Sequence, residues 1–128
     1  MIRSTVAILI LAAIAGCSGG GLAGSYRSEI RETGNLTKER FEQLRLEPEQ
    51  MLILGKDGTF TTTRGPQTVW KGRWKSEAGK IMLRAEEVNG TAVSSQLQAE
   101  VAFGMEGDGS IVDSRTSGDG YVRVYRRR

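Results

Sequence analysis

From Leu22 onward, apolar and polar residues alternate in short stretches, and Gly, Asp, Asn and Pro separate one stretch from the next. Period-two alternation puts every second side chain on one face, the mark of a strand with one buried side. In Leu22–Ile30 the shared face carries Leu22, Gly24, Tyr26, Ser28 and Ile30. Met51–Leu54 is an apolar run, Lys56-Asp57-Gly58 a hairpin turn, and Thr59–Thr63 a β-branched strand. In Val69–Lys75, Trp70, Gly72 and Trp74 face one way and Lys71, Arg73 and Lys75 the other. Lys80–Glu86, Gln96–Phe103, Ser110–Asp113 and Tyr121–Arg127 complete the set, with Asn89-Gly90 the strongest hairpin signal.

One segment breaks this rhythm. Thr37–Leu46 (TKERFEQLRL) predicts a short helix, with Thr37 or Asn35 as N-cap, a Lys38–Glu42 pair one turn apart, and Pro48 as the stop. Phe41 and Leu44 share a face, so the helix can lie as a lid or plug over an apolar end. The pattern holds no helix long enough for a parallel crossover. The expected fold is therefore an all-β antiparallel meander of eight strands, closed into an up-and-down barrel by pairing the last strand with the first.

The N-terminal patterning is different. Val6–Ala15 (VAILILAAIA) is an unbroken apolar run after Arg3, and it is shorter than the roughly 20 residues a membrane-spanning helix needs. Ile14-Ala15-Gly16-Cys17 ends it, and small residues before a cysteine resemble a bacterial lipobox. The resemblance implies a signal peptide over 1–16, acylation of Cys17, a Gly/Ser tether over 17–21 and a barrel over 22–128. Acyl chains on Cys17 would fix the protein to a membrane. Ser18 replaces the aspartate that retains many such lipoproteins in the inner membrane, so the expected site is the outer membrane, facing the periplasm.

Composition narrows the chemistry. The formal charge of +3 includes Arg3, which a signal peptidase would remove, so nucleic acid is not an expected partner. Histidine is absent and Cys17 is the only cysteine, which excludes Ser-His-Asp and Cys-His catalysis and leaves zinc without ligands. Asp57, Asp108 and Asp119 each precede a glycine and read as turn residues. Glu106, Asp108, Ser110 and Asp113 offer oxygens around one turn, but the spacing is not that of a calcium loop. A non-enzyme without metal or cofactor, monomeric, is the expectation.

Three hairpin motifs carry a further resemblance. Leu52-Ile53-Leu54-Gly55-Lys56-Asp57-Gly58-Thr59-Phe60, Gly72-Arg73-Trp74-Lys75 and Lys80-Ile81-Met82-Leu83 resemble small bacterial lipocalin-like lipoproteins. Gly24-Ser25-Tyr26 with Arg123 or Arg126 is similar to the lipocalin pair in which an early aromatic stacks under a late arginine. The resemblance implies an eight-stranded barrel that binds apolar molecules in some members and serves envelope stress or assembly in others.

Two candidate sites follow. Tyr26, Phe60, Trp70, Trp74, Leu83, Leu97, Val101 and Phe103 are expected to point inward, where they either line a cavity for a small apolar ligand or fill it. The short strands favour filling. Lys71, Arg73 and Lys75, with Arg126, Arg127 and Arg128, form a candidate basic surface for anionic head groups, an acidic partner protein or the cell-wall polymer, or a solvated face that blunts a strand edge. The expected function is a binding module of the cell envelope: a carrier or sensor of an apolar molecule, or a protein-interaction, inhibitor or assembly module with a filled core.

Overall fold

A computed structural model describes residues 21–128; the expected signal peptide, Cys17 and most of the expected tether lie outside the described residues. The chain runs β1 (Gly24–Glu32), α1 (Lys38–Arg45), β2 (Gln50–Leu54), β3 (Thr59–Arg64), β4 (Gln67–Glu77), β5 (Lys80–Val88), β6 (Thr91–Ala92), β7 (Glu100–Met105), β8 (Ile111–Asp113) and β9 (Tyr121–Arg127). Every pairing is antiparallel, and β1 pairs with both β2 and β9. With β4 on β5 and β5 on β7, the sheet closes into an eight-stranded barrel, and the short β6 extends the β5 edge. Closure leaves no long edge unpaired among the described residues, and Leu22, just before β1, packs against the core that the strands enclose.

Alternation fills the interior. Tyr26, Leu52, Leu54, Phe60, Trp74, Ile81, Leu83, Phe103, Ile111 and Tyr125 form one buried cluster. Each large apolar side chain taken fully out of water contributes about 1.5–3 kcal/mol before entropy is counted. Gly72 makes the wall tight. It sits at a register shift between β4 and β5, where the Arg84 backbone comes too close to admit a side chain.

The antiparallel order gives the barrel two ends. Gly24, Leu54, Thr59, Glu77, Lys80 and Arg127 lie at the floor; Gln50, Arg64, Gln67, Val88, Glu100, Asp113 and Tyr121 lie at the mouth. The floor is sealed. Trp74 Nε1 donates to the Gly55 carbonyl at 2.9 Å, and the Tyr26 hydroxyl donates to the Leu22 carbonyl at 2.6 Å. The guanidinium of Arg127 lies over the Tyr26 ring at 5.2 Å and donates to the Gly21 and Ala23 carbonyls and the Tyr26 oxygen. The late arginine over Tyr26 is thus Arg127, not Arg123 or Arg126, because inward positions on β9 run Arg123, Tyr125, Arg127 opposite Ile30, Ser28, Tyr26.

Helix α1 leaves β1 at the mouth end and forms where the sequence placed it. Thr37 Oγ1 accepts from the Arg40 amide at 3.1 Å as N-cap, and Leu44 is buried. Glu42 pairs with Arg45 one turn on, and not with Lys38. Ile30, Phe41, Leu44 and Arg123 share a cleft between helix and barrel. Glu47, just past the helix, accepts from the half-buried Arg123 at 3.1 Å. The helix therefore covers only the side of the mouth near β1 and β9.

The Asn89-Gly90 turn forms with both residues left-handed (φ 51° and 84°), but it returns only two residues of strand. The chain then swings out over Val93–Ala99 before β7 starts at Glu100, so the expected Gln96–Phe103 strand is shortened. Leu97 falls in this excursion and is 76% exposed, not inward in a strand.

Candidate functional site

The uncovered side of the mouth is a cavity of about 400 Å³. Trp70 reaches it from β4, Phe103 from β7 and Tyr125 from β9, while Gln50, Thr62, Thr63, Arg64, Gln67 and Asn89 supply a polar rim. Phe103 and Tyr125 stack with ring centres 6.0 Å apart, so the cavity stands on a packed aromatic layer. Below that layer the barrel is solid.

Arg115, in the turn after β8, reaches back over this layer. Its guanidinium lies 4.8 Å from the Trp70 ring and 5.3 Å from the Phe103 ring. Asp113 aims it: Arg115 Nε donates to Oδ1 at 2.9 Å and Nη2 to Oδ2 at 2.8 Å. Asp113 is only 5% exposed, so its charge requires this partner. Hydrogen bonding to Asp113 raises the Arg115 pKa further above its ordinary value.

Tyr125 is 4% exposed, and among the described residues its hydroxyl forms no hydrogen bond. Burial pushes its pKa up to about 12, with the Asp113 charge acting in the same direction. The phenol therefore keeps its proton at neutral pH and remains a donor.

A second, mainly apolar cleft of about 190 Å³ adjoins the mouth, and Trp70 lines both. Leu83, Ala85, Val88, Val93, Leu97, Ala99 and Val101 form its walls. Leu97 belongs to the site after all, as a rim residue on the excursion.

The inward set named from the sequence thus divides. Tyr26, Phe60 and Trp74 belong to the filled core and floor; Trp70 and Phe103 line the mouth; Leu83, Leu97 and Val101 line the side cleft. Trp70 and Trp74 share a face of β4 but serve opposite ends of the barrel. Arg115 and Tyr125 have no motif of their own in the sequence, and Asp113 stands out there only among the turn oxygens weighed for calcium; the Asp-x-Arg spacing is the one local signal for the pair.

The basic residues also divide. Lys71, Arg73 and Lys75 are exposed on β4, and Arg73 stands directly opposite Arg84 on β5. Lys75 pairs with Glu77 and Glu100. Arg126 pairs with Glu29 and with Asp108, Arg127 turns to the floor, and Arg128 reaches Met51. The C-terminal arginines do not join β4 in one surface, because β9 lies four strands from β4 in either direction round the closed barrel.

The turn carboxylates are engaged locally. Asp57 Oδ1 accepts from the Thr59 amide and hydroxyl, and Asp108 Oδ1 from the Ser110 amide. These bonds hold both carboxyls below their ordinary pKa. Glu106 binds Arg31 through both oxygens, so Glu106, Asp108 and Asp113 turn to three different arginines.

No family model, no curated protein and no solved structure matches this chain.

Proposed function

We propose that this chain is a lipid-anchored, non-catalytic binding barrel of a bacterial cell envelope, lipocalin-like in design, whose open end takes a small molecule. The observation that carries the binding part is the mouth: a barrel packed solid to the Phe103–Tyr125 layer yet open above it, beside an apolar cleft that shares Trp70. A ligand there contacts two aromatic rings, a fixed guanidinium and a buried phenol. Gly21 and Leu22 dock at the floor, so the chain from an acylated Cys17 enters the barrel at the end opposite the mouth. The anchoring part rests on Ile14-Ala15-Gly16-Cys17 and the apolar run before it.

Two measurements test the reading. Cys17→Ala should abolish acyl labelling and move the protein from the membrane to the soluble fraction; unchanged fractionation would sink the anchor. Native mass spectrometry of residues 18–128 purified gently from the periplasm should show a retained small-molecule adduct that Trp70→Ala removes. A clean unliganded mass, with tryptophan fluorescence indifferent to apolar probes, would replace the carrier with a protein-interaction module acting through the outer wall.

A further inference from the structure

We infer that the mouth takes a single-chain amphiphile polar end first, setting an anionic oxygen head against Tyr125 and Arg115 and laying its chain across Trp70 into the side cleft. This rests on the binding reading above and names the class of ligand.

The head-group assignment comes from which hydrogen-bonding groups remain uncommitted. Asp113 spends its carboxylate on the Arg115 side chain and on the Arg115 amide. Arg115 uses Nε and Nη2 in that pair, and among the described residues Nη1 has no acceptor. The Tyr125 hydroxyl is likewise without a partner among them. Nη1 of the exposed Arg115 and the buried Tyr125 hydroxyl therefore both present donors to the cavity, and the buried phenol left unmatched costs more than a typical hydrogen bond returns. A ligand that supplies acceptors relieves that cost. Arg64, with Glu47 3.9 Å away, lies on the rim of the same cavity.

The chain assignment comes from the second cleft. It is lined almost wholly by apolar side chains, starts at Trp70 and ends at the exposed Leu97. It lies at the side of the mouth, and the interior beneath the aromatic layer is filled. An apolar tail consequently has no room to descend into the barrel. It has a path only sideways, so the polar end is the one that goes in.

The test uses residues 18–128, which contain the whole closed barrel, and follows tryptophan fluorescence during titration with decanoate, decyl phosphate, decanol and decyltrimethylammonium. Decanoate or decyl phosphate should bind more tightly than decanol, and the cation least; their order separates a fatty-acid source from a phosphate-bearing one. Tyr125→Phe, which keeps the ring stack, should weaken the anionic probes about tenfold and decanol, whose hydroxyl is a neutral and weaker acceptor, by much less. Leu97→Asp should remove the gain in affinity from octanoate to dodecanoate. The carboxyl carbon of labelled decanoate should show magnetisation transfer to Tyr125 ring protons. Binding that ignores the head group and Tyr125→Phe, yet is lost in Trp70→Ala, would overturn the polar-end-first assignment and leave the binding mouth intact. Failure of every probe to bind, with no adduct on the purified protein, would overturn both.

Discussion

Replacing Gly72 with alanine adds one methyl group at the register shift between β4 and β5, directly against the Arg84 backbone. A Cβ at this position would lie 2.9 Å from the Arg84 carbonyl carbon, 2.9 Å from the Glu86 amide nitrogen and nearer still to the Arg84 carbonyl oxygen. Carbon contacts are comfortable at roughly 3.5–4.0 Å, so the strands must part by on the order of 1 Å. Nothing here is the far end of a flexible side chain that could swing away. Overpacking of this kind costs about 1–3 kcal/mol, and each neighbouring ladder bond that lengthens adds about 1 kcal/mol, for a total near 3 kcal/mol. In a domain of this size that lowers the thermal midpoint by roughly 13 °C. The assay is thermal and urea unfolding by far-UV circular dichroism. Gly104→Ala serves as control, since a Cβ there meets nothing within 4 Å. A Gly72→Ala protein that melts together with the parent and with Gly104→Ala would refute the argument, and with it the register of β4 on β5.

Ala78-Gly79 joins β4 to β5 with both residues left-handed, at φ 53° and 77°. Alanine is strained there, so Ala78→Asn should stabilise the fold by about 0.5–1 kcal/mol, read as a higher urea midpoint at unchanged slope. Tyr125 should titrate near its pKa of about 12 in ultraviolet absorbance, above an ordinary tyrosine. The folded pKa exceeds the unfolded one, so this contribution is fully present below about pH 10 and is lost as pH rises toward 12, about 3 kcal/mol in all. Tyr125→Phe should lack that extra alkaline loss of stability, and equal alkaline slopes in the two proteins would refute it.

The barrel was legible because its information is local. Each strand carries its own alternation, and each turn, from Lys56-Asp57-Gly58 to Asn89-Gly90, carries its own backbone preference. Closure followed from strand count and from the need to cover edges. What escaped was set by register and by excursions. Alternation through Gln96–Phe103 reads the same whether or not the chain leaves the sheet, so Leu97 was placed on a strand it does not join. Which late arginine meets Tyr26 depends on the pairing of β1 with β9, and a one-residue change in register exchanges Arg126 for Arg127. Arg115 had no pattern of its own: it matters because Asp113, two residues earlier, turns it over rings contributed by β4 and β7. The cavity was invisible for a related reason. Trp70 and Trp74 share a face of one strand, and only the position of the packed aromatic layer decides that one is floor and the other mouth.

The pairing of β1 with both β2 and β9 also decides how the domain meets a mechanical load. A pull through the residues that precede Gly24 runs along the axis of β1, whereas its ladder bonds to Met51–Leu54 on one side and to Tyr121–Arg127 on the other lie across that axis. Two whole ladders must then slide together, instead of opening one bond at a time as a peeled hairpin does. The grip of Arg127 on Gly21, Ala23 and Tyr26 stands in front of them as the first element to yield. The strand that closes the barrel is also the one that would take the strain of holding the domain in place while a partner or the surrounding medium tugs on it.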